Sequence, residues 1–318
     1  MFTKTLNTTL ETTLKTTLNQ ITKLSLTFCV LSSLTACQLL SDPSNSPVIE
    51  HKLTSDWHDL MPGNLDQWQI WMGVPHSSVK GLPKGTYTAT NLNQHGDPSL
   101  AMGLNNDVKN VFQVDHSKAQ PELKISGEIY GGLTTLASYQ NYHLTMQIKW
   151  GDKKWAPRLN AKRDSGVLFH CYGEHGAFWR VWKACQELQV QESDFGDYIP
   201  LAGPTATIKT NTLEGHYLYQ PEGKHNRLVK GYSHAYLEPD APHGEWNQVD
   251  LYALNDKAVF VINGQVVMAI ENSLDKKGQP LTSGQLQIQS EGAEVYYRAI
   301  KIRALDKMPS SFTRYLSE

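Results

Sequence analysis

The stretch Tyr142-His-Leu-Thr-Met-Gln-Ile-Lys-Trp150 alternates apolar and polar side chains at every step. Because successive side chains of a β-strand point to opposite faces, this period of two predicts a strand with one buried face. Further along the chain, Val259–Ile262 and Gln265–Met268 flank the dipeptide Asn263-Gly264. Asn-Gly supplies the two positive φ angles of a type I′ turn, so this segment predicts a β-hairpin.

The C-terminal part of the sequence continues the same pattern. Leu286 and Ile288 alternate with glutamines, and a last strand is predicted from about Val295 to Arg303, with Ile300 and Ile302 facing inward. No segment after residue 60 shows a sustained helical period. Many short strands separated by glycines and turn residues predict an all-β fold, a sandwich or jelly roll.

The composition is that of a globular protein with a buried core. Of the 318 residues, 40% are hydrophobic and 19% are charged, and the formal net charge is −2. A chain without a basic surplus lacks the electrostatic footprint of a nucleic-acid-binding protein, so nucleic acid is not expected as a partner.

The first residues predict export and a lipid anchor. Lys23 precedes the mostly apolar stretch Leu24–Ala36, and Leu34-Thr35-Ala36-Cys37 resembles a bacterial lipobox. Such a signal implies cleavage on the N-terminal side of Cys37 and acylation of its sulfur, which holds the protein on a membrane. An ordinary secretory peptide cleaved nearby is the alternative. Gln38 is not an aspartate, which favours the outer membrane, facing the periplasm or the exterior.

These signals divide the chain into four segments. We expect a signal peptide over 1–36, a tether over 37–55, one β-sandwich domain over 56–306 and a short tail over 307–318. The prolines at positions 43 and 47 fit a flexible tether. No interior linker or internal repeat divides the domain further.

The segment Glu187-Leu-Gln-Val-Gln-Glu192 carries the most suggestive polar pattern. In an extended strand Glu187 and Gln189 share one face, and a one-residue bulge would bring Glu192 onto the same face. Two carboxylates on one face could flank a glycosidic bond as acid and base or nucleophile. The alternative is a polar, solvent-exposed sheet face that ends in a bend at Glu192.

Other candidates lie in the same region of the chain. His170 ends a Gly-Val-Leu-Phe strand and is either a general base, a metal ligand or a histidine without a chemical role. Asp164 is either a turn residue or a carboxylate of the site. Trp179 and Trp182 are three residues apart, so one is expected to pack in the core while the other lines a cleft. Lys183 beside them could bind a hydroxyl or an oxyanion.

Two cysteines remain in the predicted mature chain. Cys171 and Cys185 lie fourteen positions apart, in a compartment where disulfides form. They form either a disulfide or two small buried side chains. The chain has no Cys-x-x-Cys pair, which argues against a structural zinc site.

Several stretches together resemble a large bacterial family known as domain of unknown function 1080, or the 3-keto-disaccharide hydrolase domain. That family is similar in fold to concanavalin A-like lectins and glucanases, which implies a jelly-roll sandwich of two antiparallel sheets with one sugar-facing sheet. The resemblance covers roughly residues 56–305. Its stretches are Ile125–Thr135, Tyr142–Trp150, Asp164–His170, Gln186–Glu192 with Gly196-Asp197, and Leu286–Glu294 with Tyr297–Ile300.

The resemblance implies cleavage of glycosides already oxidised at C3 of the sugar. A base removes the C2 proton that the 3-ketone acidifies, the C1 substituent is eliminated, and water adds to the product. The implied catalytic residues are Glu187, Glu192 and His170; many relatives have arginine in place of this histidine. The implied sugar-binding residues are Gln189, Lys183, Trp179, Trp182, Asp164 and Glu291.

Two alternatives accompany this expectation. Gln189 stands where glucanases of similar fold have an aspartate, which disfavours a conventional retaining glucanase. A non-catalytic sugar-binding module on the cell envelope remains the other alternative. No cofactor is required by the sequence, and no ligand set compels a divalent metal, although the sequence leaves one open.

Overall fold

The computed structural model describes residues 49–92, 97–213, 216–228 and 230–317. All of them belong to one compact unit, Asp42–Glu318. The predicted signal peptide, the anchor at Cys37 and most of the predicted tether lie outside the described residues. Within the described ranges, no helix is long and apolar enough to cross a bilayer.

The described chain consists almost entirely of β-strands, with two short 3-10 helices at Pro98–Leu100 and Ser310–Tyr315. The strands are β1 (Ile49–Glu50), β2 (His58–Asp59), β3 (Trp68–Met72), β4 (Gly103–Leu104), β5 (Phe112–Asp115), β6 (Glu122–Ile125), β7 (Gly131–Gln140), β8 (Tyr142–Lys154), β9 (Asp164–Tyr172), β10 (Ala184–Gln191), β11 (Tyr198–Leu201), β12 (Thr205–Leu213), β13 (His216–Tyr219), β14 (Lys224–Leu228), β15 (Ser233–His234), β16 (Asn247–Leu254), β17 (Lys257–Ile262), β18 (Gln265–Leu274), β19 (Ser283–Ser290) and β20 (Ala293–Ala304).

These strands form two layers. Sheet A runs in the order β3-β7-β19-β9-β10-β11, and sheet B runs β6-β20-β8-β16-β17-β18-β12-β14. Every pairing within these two orders is antiparallel. The layers are continuous at one edge, because β15 pairs with both β11 and β13, and β13 pairs with β12. The predicted all-β sandwich of two antiparallel sheets is confirmed.

The alternating sequence pattern positions the core between the sheets. Leu286 and Ile288 of β19 point into that core, while the neighbouring glutamines point to the opposite face of sheet A. In β20 a residue with positive φ, Ala299 (52°), interrupts the alternation, and Ile300 and Ile302 both lie in the core. The predicted hairpin is present as β17 and β18, with positive φ at both turn residues.

The two ends of the described chain dock onto the sandwich. The segment predicted as a tail contains a 3-10 helix in which Tyr315 is buried, and both the backbone N–H and the hydroxyl of Ser317 donate to Glu271. At the other end, β1 pairs in parallel with β7. Both segments therefore contribute contacts to the folded unit.

Substitution of Ile288 tests which face of β19 packs in the core. Ile288 is 1% exposed within the main hydrophobic cluster, so Ile288→Ala should lower the free energy of unfolding by about 2–5 kcal/mol. Leu136→Ala is the control, since this side chain on β7 is 48% exposed. Equal losses for both variants in urea unfolding would contradict the assignment of faces.

Candidate functional site

A cavity of about 460 Å³ opens on the face of sheet A that points away from the main core. We call this surface the site face. A wider groove of about 570 Å³ lies along residues 50–53 and 304–306 and contains none of the predicted site residues. The lining of the site-face cavity comprises Arg158, Asp164, Phe178, Trp179, Trp182, Glu187, Gln189, Ile199, Pro200, Leu201, Ala202, Gly203, Lys230, Gly231, Tyr232, Gln289 and Glu291.

The floor of the cavity is set by the register of β10. The pairing with β9 shifts between Ala184 and Gln186, and from there onward Glu187 and Gln189 point to the site face. Leu188 and Val190 point into the main core. Gly166 lies opposite Gln189, and a Cβ there would collide with the side-chain oxygens of Glu187 and Gln289. The glycine therefore makes room for the Glu187 carboxyl.

Glu187 is 3% exposed, and its carboxyl has an abnormal proton affinity. Burial raises its pKa well above the usual value, and the negative charge of Asp164 raises it further. A hydrogen bond with Gln289 opposes these effects only in part. Burial therefore favours the protonated form of Glu187.

One arginine, Arg158, forms ion pairs with the two other acids of the cavity. Arg158 places one guanidinium nitrogen 2.5 Å from Asp164 Oδ2 and the other 3.2 Å from Glu291 Oε1. Burial raises the pKa of Asp164 to about 6, although Arg158 opposes the shift. Burial also raises the pKa of Glu291 well above the usual value. Burial therefore favours the protonated form of all three carboxyls of the cavity.

A tight turn builds the aromatic wall of the cavity. Trp179 and Arg180 have φ angles of 51° and 65°, and the backbone N–H of Phe178 donates to Trp182 O at 2.8 Å. Bulky residues rarely adopt this conformation, and each costs of order 1–3 kcal/mol. The rings of Phe178 and Trp179 stack at 4.8 Å, and the Trp182 ring lies 5.6 Å from that of Trp179. Trp182 is buried and Trp179 half-buried, and both line the cavity, whereas the spacing had predicted that only one of them lines a cleft.

A disulfide joins the ends of the segment that carries this wall. Cys171 and Cys185 are bonded to each other, which decides between the two alternatives that the sequence left open. Together with Leu168 and Trp182 they belong to a second hydrophobic cluster on the site face. The turn therefore rests on a small core of its own.

Glu192 does not lie in the cavity, so the expectation of a shared face with Glu187 is wrong. The irregularity in β10 falls at Cys185 and not before Glu192. The Glu192 carboxylate accepts hydrogen bonds from the backbone N–H and the guanidinium of Arg163, at 3.1 and 2.8 Å. Burial acts to raise the pKa of Glu192, but these bonds lower it overall.

His170 also lies away from the carboxyls. It has a φ of 49° in an irregular part of β9, and its ring contacts Phe169 and Tyr142, both of the main core. Burial lowers the pKa of His170 to about 4. The structure does not bring this histidine together with the cavity, because the bulge turns it to the core side of sheet A.

Lys183 is buried but does not line the cavity. Its ammonium group donates to the carbonyl of Gly173, and burial lowers its pKa to about 8. Lys183 follows the aromatic residues in the sequence, but its side chain points toward Gly173 and not into the cavity. Six of the nine predicted site residues do share the cavity, namely Glu187, Gln189, Trp179, Trp182, Asp164 and Glu291.

Several residues of the cavity were missed by the sequence reasoning. Gln289 could have been found, since it alternates in phase with Gln287 and faces away from Ile288. Arg158 follows the cis peptide bond Ala156-Pro157 in a loop without periodicity. Only the folded chain brings it to Asp164 and Glu291.

One group of side chains has the composition of a metal site. Ligand atoms of Asp194, Asp197 and His234 lie within 4.8 Å of one another. Both oxygens of Asp197 already accept hydrogen bonds, from His234 Nδ1 at 2.9 Å and from the backbone N–H of Ala235 at 2.6 Å. Asp194 pairs with Lys162 at 2.6 Å. These bonds satisfy the group without an ion, so we assign it no metal.

Comparison with known proteins identifies a family. The model of the 3-keto-alpha-glucoside-1,2-lyase-like domain matches residues 56–303. No curated protein matches the chain.

Solved structures of low similarity also match. A protein proposed to be a glycosyl hydrolase from Parabacteroides distasonis ATCC 8503 is 15% identical, with 79% of this chain and 100% of that chain covered and a TM-score of 0.41. The carbohydrate-binding module CBM66 from Bacillus subtilis is 9% identical, with coverage of 61% and 92% and a TM-score of 0.39. The β-glucanase of Bacillus licheniformis is 8% identical, with coverage of 81% and 100% and a TM-score of 0.38. At these scores they carry no argument about the site.

The buried acid of Glu187 should show in the pH dependence of stability. The pKa of Glu187 is raised in the folded state. The stability that its carboxyl contributes is therefore fully present below the unfolded pKa near 4.3 and is lost as the pH rises through the folded pKa. Glu187→Gln removes that loss. The variant should gain stability over the wild type as pH rises above about 4.3, by about 1.4 kcal/mol per pKa unit traversed.

Urea unfolding between pH 4 and 8 measures this difference. Glu245→Gln removes an exposed carboxylate, so the difference in free energy of unfolding between this variant and the wild type should not change with pH. A flat difference for Glu187→Gln as well would show that its carboxyl titrates normally.

Proposed function

This chain belongs to the 3-keto-alpha-glucoside-1,2-lyase-like domain family, and on that premise we propose that its cavity cleaves glycosides already oxidised at C3 of the sugar. The observation that carries the proposal is the pair of carboxyls with unlike proton affinities, Glu187 and Asp164, in one cavity. Titratable groups whose pKa values are driven apart in a cleft are typical of acid–base catalysis.

The reaction needs one group that takes a proton and one that gives a proton. The 3-ketone acidifies the hydrogen at C2, so a base can remove it and leave an enolate on C2, C3 and O3. When the ketone re-forms, the C1–O bond breaks, a C1=C2 double bond forms, and the leaving oxygen takes a proton from an acid. Addition of water across this double bond then completes the net hydrolysis.

The residues of the cavity divide between these roles. Asp164, with a pKa of about 6 and an ion pair to Arg158, is ionised at neutral pH and acts as the base. Glu187, whose burial favours the protonated form, donates to the leaving oxygen. Gln189 and Gln289 bind hydroxyls of the sugar and the developing enolate oxygen. No step requires His170, Glu192 or Lys183.

A non-catalytic sugar-binding module is the second candidate, and the half-buried ring of Trp179 favours it. Aromatic faces suit the apolar face of a sugar ring. A binding module, however, gains nothing from burying three carboxyls with one arginine, because burial of acids costs stability. The acid cluster therefore favours the enzyme.

Activity on matched substrates tests the proposal. The purified chain should release the aglycone from a 3-keto-glucoside and not from the unoxidised parent. Glu187→Gln should lower kcat roughly 10²–10⁴-fold, because a general acid is lost. Glu192→Gln is the matched control, since Glu192 is bound to Arg163 outside the cavity, and it should keep its activity.

Two outcomes would contradict the proposal. Release from both substrates at similar rates would indicate a conventional glycosidase, and sugar binding without release would indicate the binding module. A parallel assay in EDTA reports whether a divalent metal takes part.

We also propose that the mature chain is held on the bacterial envelope by lipid at Cys37, on the support of the lipobox sequence alone. Cys37→Ser should move the chain expressed in bacteria from the detergent phase to the aqueous phase in a Triton X-114 partition. Unchanged partition would contradict the anchor.

A further inference from the structure

The two ends of the cavity differ in chemistry. At one end lie the charged groups, namely Arg158, Asp164 and Glu291. At the other end lie Phe178, Trp179, Ile199 and Leu201, which pack against the second hydrophobic cluster or belong to it. The polar side chains lining that end are Lys230 and Tyr232, both exposed at the surface.

Glu187 lies on the border between the two ends. Its neighbour across β9 is Leu168 and its neighbour across β11 is Ile199, and both are apolar. Along β9, Gly166 lies two positions before Leu168, and Asp164, which pairs with Arg158, lies two positions before Gly166. A ligand that spans the cavity therefore passes over Glu187 as it crosses from polar to apolar surroundings.

We propose that the leaving group of the substrate is an apolar, preferably aromatic, aglycone that binds against Phe178, Trp179 and Ile199, and not a second sugar. This inference rests on the proposed function, in which Glu187 protonates the leaving oxygen. The oxidised sugar, with its several hydroxyls, lies over Gln189, Gln289 and Asp164. The glycosidic oxygen then lies at the border, within reach of Glu187.

The hydroxyls of a second sugar would be poorly satisfied at the apolar end. One face of a sugar can stack on Trp179, but Ile199 and Leu201 beneath it offer no hydrogen bond. The polar side chains at this end, Lys230 and Tyr232, are exposed at the surface and leave the hydroxyls that face Ile199 and Leu201 without a partner. Hydroxyls that lose water without a new partner weaken binding. A flat aromatic aglycone loses no hydrogen bond there and gains contact with two rings.

The apolar end is also held in its binding shape before any ligand arrives. The turn at Trp179 and Arg180 adopts positive φ angles, and the disulfide between Cys171 and Cys185 closes the segment below it. The indole of Trp182 donates to Gly131 O at 3.2 Å. A preformed wall avoids the cost of ordering side chains on binding.

Binding of glucosides that are not oxidised tests the inference without turnover. Phenyl α- and β-glucoside, methyl α- and β-glucoside, maltose and cellobiose are titrated calorimetrically into the full-length chain. The phenyl glucosides should bind at least about tenfold tighter than the disaccharide of the same anomer, which corresponds to about 1.4 kcal/mol.

Two variants locate the preference at the apolar end. Ile199→Asn should reduce the advantage of the phenyl glucosides to less than about threefold while methyl glucoside binds as before. Phe178 lies in a loop, so Phe178→Ser provides the same test if Ile199→Asn fails to fold. Val108→Asn changes a residue that is 42% exposed and does not line the cavity, and it should keep the full advantage.

The results separate failure of the inference from failure of the proposed function. Disaccharides that bind as tightly as phenyl glucosides, or an advantage unchanged in both Ile199→Asn and Phe178→Ser, would overturn the inference even if 3-keto-glucosides are cleaved. Absence of binding by every glucoside, together with absence of cleavage of 3-keto-glucosides, would overturn both.

Discussion

Sheet A carries apolar side chains on both of its faces, and the rest of the structure depends on this constraint. One face packs on sheet B through residues such as Val167 and Ile288. Without a covering segment, the other face would expose Leu168, Ile199 and Leu201 to water. The disulfide-closed segment with Trp182 covers part of that face and leaves the rest open as the cavity. The candidate site is thus the part of this face of sheet A that the covering segment does not reach.

This constraint also explains the electrostatics. Glu187 projects from a sheet face flanked by apolar residues, so water cannot solvate its carboxylate and the neutral acid is favoured. Asp164 lies where Arg158 reaches it, and the ion pair opposes the same effect of burial. Two carboxyls on adjacent strands therefore differ in proton affinity because their immediate neighbours differ.

The sequence predicted those features that depend on alternation along one strand. The period of two identified the strand Tyr142–Trp150 and the alternation of Leu286 and Ile288 with glutamines in β19, because a pleated strand leaves no other arrangement of faces. The Asn263-Gly264 dipeptide identified the hairpin. The same reasoning brought Glu187 and Gln189 to one face. Irregular positions were not accessible in this way. The bulge that turns His170 into the core and the displacement of Glu192 each depend on where one extra residue is accommodated. The contribution of Arg158 depends on a loop whose path only the complete fold determines.

The measurement that tests the account most directly is the fate of the hydrogen at C2. A 3-keto-glucoside carrying deuterium at C2 is incubated with the chain in ordinary water, beside an incubation without protein that corrects for spontaneous exchange. We expect cleavage to be slower than for the unlabelled substrate and the sugar product to have lost its deuterium. Cleavage at an unchanged rate with the deuterium retained would show direct displacement at C1 and contradict the elimination mechanism.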